Sequence, residues 1–98
     1  MTSISNMGGY KMQSFVFISD PGHGWLVVPL SLVRASGAKI SPYSYIRGNM
    51  AYLEEDCDAG AFTDTLVAGS FSIIEEHREE FDIRENPAYR TYYLWWAN

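Results

Sequence analysis

Two clusters of turn-forming residues dictate most of what this chain can become. Asp20-Pro21-Gly22-His23-Gly24 separates the run 14–19 from the run 25–28, both rich in β-branched and aromatic residues. Such residues suit a pleated surface, while proline presets φ and glycine accepts positive φ, so the segment predicts a β-hairpin. Arg47-Gly48-Asn49 likewise separates residues 39–46 from 50–54 and predicts a second hairpin. Pro42 within the first of those runs confines it to a sheet edge or delays the start of the strand.

Each hairpin is followed by a helical pattern. Pro29 opens residues 30–36 and Gly37 closes them, the usual asymmetry of a helix, with Leu30, Val33 and Arg34 at helical spacing. Asp58 is placed to cap a helix over 59–68 that turns Phe62, Leu66 and Val67 inward and stops at Gly69. Residues 71–75 then read as one more strand. The expectation is an α+β fold: a small antiparallel sheet from two hairpins plus a further strand, with two short helices, in the order ββα-ββα-β. Residues 76–85 fit a strand extension, a loop or a solvated helix. The aromatic tail 89–96 reads as strand on β propensity.

At 98 residues the chain predicts one domain, over 13–98, with residues 1–12 as a loose polar leader. A hydrophobic fraction of 47% and an aromatic fraction of 15% argue against disorder. No apolar run approaches the roughly 20 residues that span a bilayer, so no membrane partner is expected. The first residues lack the charged and apolar regions of a secretory signal. Cys57 is the single cysteine, which excludes an internal disulfide and fits a reducing compartment. A cytoplasmic location is therefore expected.

Charge is distributed unevenly. Eleven of the twelve acidic residues lie between Glu54 and Glu85, opposed there by Arg78 and Arg84 alone. The remaining cations are scattered, and phosphate binding needs them clustered, so direct nucleic-acid binding is disfavoured. A segregated block of carboxylates sets up a directional field that repels nucleic acid and attracts basic surfaces. Glu54, Glu55, Asp56, Asp58, Glu75, Glu76, Glu79 and Glu80 are the candidate partner-binding acids. The plainer alternative is a solvated surface.

Other patterns carry less chemistry. Glu54-Glu55-Asp56-Cys57-Asp58 lacks the interleaved spacing and glycine of a calcium loop, and neighbouring strand residues point to opposite faces. No metal and no cofactor is expected. His23, Trp25 and Cys57 form a candidate ligand site, and a metal-dependent or Cys–His enzyme built on them is the alternative function. The chain has neither His-x-x-x-His nor Cys-x-x-Cys, and no phosphate-binding loop or nucleophile elbow, so no catalytic residue is assigned. Trp95 and Trp96 are candidate contact residues, because tryptophan combines large area with one polar handle. A homodimer or a self-associating assembly protein through that tail is a third reading.

Three motifs resemble a family of small uncharacterised phage and prophage proteins: Asp20-Pro-Gly-His-Gly-Trp-Leu-Val-Val-Pro29, Ile40-Ser-Pro-Tyr-Ser-Tyr45 and Tyr52-Leu-Glu-Glu-Asp-Cys-Asp58. The likeness covers roughly residues 14–69 and carries no activity with it. It implies a phage-type protein acting in the host cytoplasm, where acidic domains of this size often inhibit defence or nucleic-acid enzymes. The expected function is thus a small acidic protein that binds a basic surface of a host protein, a nuclease or defence complex, in the manner of a DNA mimic.

Overall fold

The computed structural model describes residues 12–92. Strand β1 (Gln13–Ser19) and strand β2 (Gly24–Pro29) form the first hairpin, with Val16 opposite Val27 and Ser19 opposite Gly24. Asp20 shapes the turn by accepting the N–H groups of Gly22 and His23 through Oδ1, at 2.9 and 2.8 Å. Helix α1 (Leu30–Ser36) follows directly and ends on Gly37, whose φ of 74° is the left-handed value glycine tolerates. Strands β3 (Tyr45–Arg47) and β4 (Met50–Glu54) make the second hairpin, and helix α2 (Asp58–Thr63) comes next. Strand β5 (Phe71–His77) and the two-residue strand β6 (Arg90–Thr91) complete a six-stranded sheet in the order β5-β1-β2-β4-β3-β6.

The α+β class is as the sequence implied, but the sheet is mixed rather than antiparallel. Strand β5 lies parallel to β1 in unbroken register, from Gln13 beside Phe71 to Ser19 beside His77. The reason is the connection. A tight hairpin forces antiparallel neighbours, whereas the chain between β4 and β5 passes through α2, and such crossovers permit parallel strands. Boundaries also moved. Within 39–46 the strand starts at Tyr45, the delay that Pro42 implied, and α2 stops at Thr63 instead of 68. Strand β5 continues through Glu75, Glu76 and His77, settling the first part of the ambiguous 76–85 segment.

Alternation sorts the strands into two faces. Phe15, Leu26, Val28, Ile46, Ala51 and Leu53 pack with Val33 of α1 and Phe62 of α2 into the main core. The opposite face carries Ile18, Trp25 and Tyr52. It is crossed by residues 78–89, which travel from one sheet edge to the other. Ile83 on this strap is buried, and Phe81 and Tyr89 ring Tyr52 at centroid distances of 6.1 and 5.0 Å. Three arginines face aromatic rings here: Arg47 over Tyr89, Arg78 over Phe81 and Arg84 over Trp25. No helix among the described residues is long and apolar enough to cross a membrane.

Candidate functional site, the acidic end of the sheet

Strand register decides where the acidic residues go. Ser19 lies beside both Gly24 and His77, and Trp25 lies opposite Glu54. The ends of β1, β4 and β5 and the start of β2 therefore share one end of the sheet. Asp20 follows β1 there, Glu55 and Asp56 follow β4, and Glu79, Glu80 and Asp82 follow β5. Two adjoining clefts mark this end. One, of about 440 Å³, is lined by Asp20, His23, Trp25, Glu80, Asp82 and Arg84 among others. The other, of about 70 Å³, is lined by His23, Trp25, Glu54, Glu55, Asp56 and Arg84. Carboxylates distant in sequence thus converge around Arg84, a residue the sequence reading did not single out.

Glu54 and Asp58 belong to the scaffold of this end. Glu54 turns its carboxylate on the chain ahead, accepting N–H bonds from Asp56 at 2.8 Å, Cys57 at 2.9 Å and Asp58 at 3.4 Å. Partial burial by itself would raise its pKa. The bonds from Cys57, Asp56 and Asp58, with the charge of Arg84, outweigh it and hold the carboxyl below its usual value. Asp58 was expected to cap α2 and to face a partner, and it does neither. The cap position is Cys57, without a side-chain bond, and Asp58 is buried at 3% exposure. Its carboxylate accepts the Ser41 N–H, the Ser41 hydroxyl at 2.7 Å and the Ser44 hydroxyl at 2.5 Å. Ser44 Oγ in turn accepts the Glu54 N–H at 2.9 Å. A buried charge persists only when bonded in this way.

The remaining acids are displayed. Glu55, Asp56, Glu75, Glu76, Glu79, Glu80, Asp82 and Glu85 are exposed. Among the described residues Glu76 alone of these is ion-paired by an arginine, Arg78, at 2.8 Å. Asp64, at the end of α2, is exposed but lines neither cleft. Asp20 is held below the ordinary carboxylate range, first by the Gly22 N–H, against a smaller opposing effect of burial, and further by the His23 N–H and by the charges of His23 and Arg84.

His23 and Trp25 are neighbours, with near-parallel rings 6.3 Å apart. His23 Nδ1 lies 3.8 Å from Asp20 Oδ1. Trp25 is 1% exposed, packs edge-to-face with Tyr45 at 5.7 Å, and its Nε1 has no hydrogen-bond partner among the described residues. Cys57 is exposed and lines neither cleft that His23 lines. Among the described residues no three His, Cys, Asp or Glu side chains gather into a cluster able to hold a metal ion. Trp95 and Trp96 lie outside the described residues. No protein-family model, no curated protein and no solved structure matches this chain.

Proposed function

We propose that this chain is a protein-binding module that presents the acidic end of its sheet to a basic surface on another protein. The observation that carries the reading is the convergence, through strand register, of Asp20, Glu54 to Asp56, Glu80 and Asp82 around one arginine. One cation cannot neutralise so many carboxylates, and the surplus field steers a cationic partner and fixes its orientation. The likeness to phage and prophage proteins supplies the context: the partner is a host protein that itself grips nucleic acid, a nuclease or a defence complex. Occupying its phosphate-binding cleft would inhibit it.

The charges to reverse are Glu55, Asp56, Glu80 and Asp82. Glu54 and Asp58 hold the local backbone, so replacing them would test folding instead. Host proteins captured on the immobilised wild type at low salt should be lost in the quadruple lysine variant. They should also be lost as ionic strength rises from about 0.05 to about 0.5 M, where the screening length falls to a few ångströms. Equal capture by both proteins at both salts would end this reading.

A further inference from the structure

The open edge of β5 has a backbone pattern that can be read residue by residue. The Gln13 N–H donates to the Ser70 carbonyl, and the Arg78 N–H donates to the Ser19 carbonyl. Between these points the register with β1 is unbroken. Backbone groups alternate sides along a strand, so the even residues Ser72, Ile74 and Glu76 address β1. The odd residues Phe71, Ile73, Glu75 and His77 turn their N–H and C=O groups outward. No strand among the described residues lies on that side. At the other edge β6 is only two residues long, whereas β5 runs for seven. Long open edges are templates for another strand, and proteins usually blunt them with charge or proline. Here Ile73 and Ile74, 39% and 53% exposed, occupy the middle unguarded, and Glu75 and Glu76 follow.

We infer that β5 accepts an extended, basic segment of the partner protein as a seventh strand. This rests on the partner reading above and says how the partner is held. Main-chain bonds to the outward residues supply the affinity, as in other strand-addition complexes. Along β5, Ile73 and Glu75 share one face and Ile74 and Glu76 the other, so on each face a β-branched side chain of the added strand covers an isoleucine and a cationic one meets a carboxylate. Charge complementarity selects this occupant over a neutral segment.

The probe is the blocked seven-residue peptide Val-Val-Lys-Lys-Val-Val-Lys, which as a strand carries both valine and lysine on each face. Its binding should slow hydrogen exchange at the Phe71, Ile73, Glu75 and His77 amides at least tenfold, leaving Ser72, Ile74 and Glu76 unchanged. Ile73→Pro removes an outward donor that the fold does not use, keeps every carboxylate, and should weaken the peptide at least tenfold. The same peptide N-methylated at two adjacent central residues keeps its charge and should also lose binding. A threonine–valine peptide should bind at least tenfold more weakly than the lysine one. Protection without alternation, or unchanged binding of either the proline variant or the methylated peptide, would overturn the inference. So would an equally tight neutral peptide, or the alternating protection appearing in the protein alone together with a dimer in sedimentation, which would give the edge to a second copy. Loss of host-protein capture with Ile73→Pro but not with the quadruple lysine variant would keep strand addition and sink the acidic-end reading. The converse result would sink strand addition alone.

Discussion

Replacing Asp58 by alanine takes the shared acceptor away from Ser41 N–H, Ser41 Oγ and Ser44 Oγ together. Hydrogen bonds to a charged group contribute roughly 1.5–3 kcal/mol each and are not additive, so a loss of about 3 kcal/mol is expected in urea unfolding. Asp58→Asn keeps an acceptor, and serine hydroxyls can turn to receive its amide, so the loss should fall to about 1 kcal/mol. A change under about 0.5 kcal/mol for the alanine variant, the range of an ordinary surface substitution, would show that the site is not a scaffold. Gly24 offers a second test at this scale. A β-carbon there would stand 2.6 Å from Phe17 Cε1 and 3.0 Å from Glu55 Oε1. The constraint is space beneath the Phe17 ring. Gly24→Ala should cost about 1–3 kcal/mol, and adding Phe17→Leu should recover part of it, a coupling measurable in a double-mutant cycle. Sequence reading treated both residues differently. It counted Asp58 with the displayed acids, because a carboxylate in an acidic run is ordinarily solvated. The available signal was Ser41 and Ser44, two hydroxyls in a loop that has to be satisfied somewhere.

The strap over 78–89 differs in kind from the strands beneath it. After the Arg78 N–H bond to the Ser19 carbonyl its backbone bonds among the described residues are local, Ile83 N–H to Phe81 and Tyr89 N–H to Asn86, until Arg90 joins β3. Side chains hold it: Ile83 buried, Phe81 and Tyr89 against Tyr52, and Arg84 over Trp25. An element anchored by a few contacts opens without global unfolding. Amides of residues 79–89 should therefore exchange faster than those of β1, β2 and β4, and Phe81→Ala should accelerate them further while leaving the main core protected. Equal protection of strap and core would contradict this. The same difference explains what the sequence revealed. Hairpins at 20–24 and 47–49 and the helix between Pro29 and Gly37 were legible because turn residues and alternation are local signals. The strap was not, since residues 76–85 have no period and their order comes from contacts with Trp25 and Tyr52, far away in the chain. The parallel pairing of β5 was hidden for a related reason. Alternation says which residues share a face but not which way a neighbouring strand runs.

At the scale of the whole molecule, one end collects most of the negative charge and one arginine mediates it. Arg84 lines both clefts and contributes to lowering the pKa of both Asp20 and Glu54. Both folded pKa values are depressed, so the associated stability is present above the unfolded values near about 4. It is lost as the pH falls through the folded values, because below them both states are protonated alike. Stability should then be flat from neutral pH down to about pH 5 and decline below about 4. Arg84→Gln removes the mediating charge. The two carboxyl groups should move back toward their ordinary pKa values, so the variant should show a smaller total loss on the acid side. It should also be less stable than wild type at neutral pH, because Asp20, Glu55, Asp56, Glu80 and Asp82 then repel one another without a cation among them. Salt separates this repulsion from lost packing over Trp25. Screening acts on exposed charges within a few ångströms, so the deficit should shrink as ionic strength rises to about 0.5 M, whereas a packing defect would persist. A deficit independent of salt, with an unchanged acid limb, would mean that the carboxylates at this end do not feel one another. Without that mutual field the acidic end could not steer a partner.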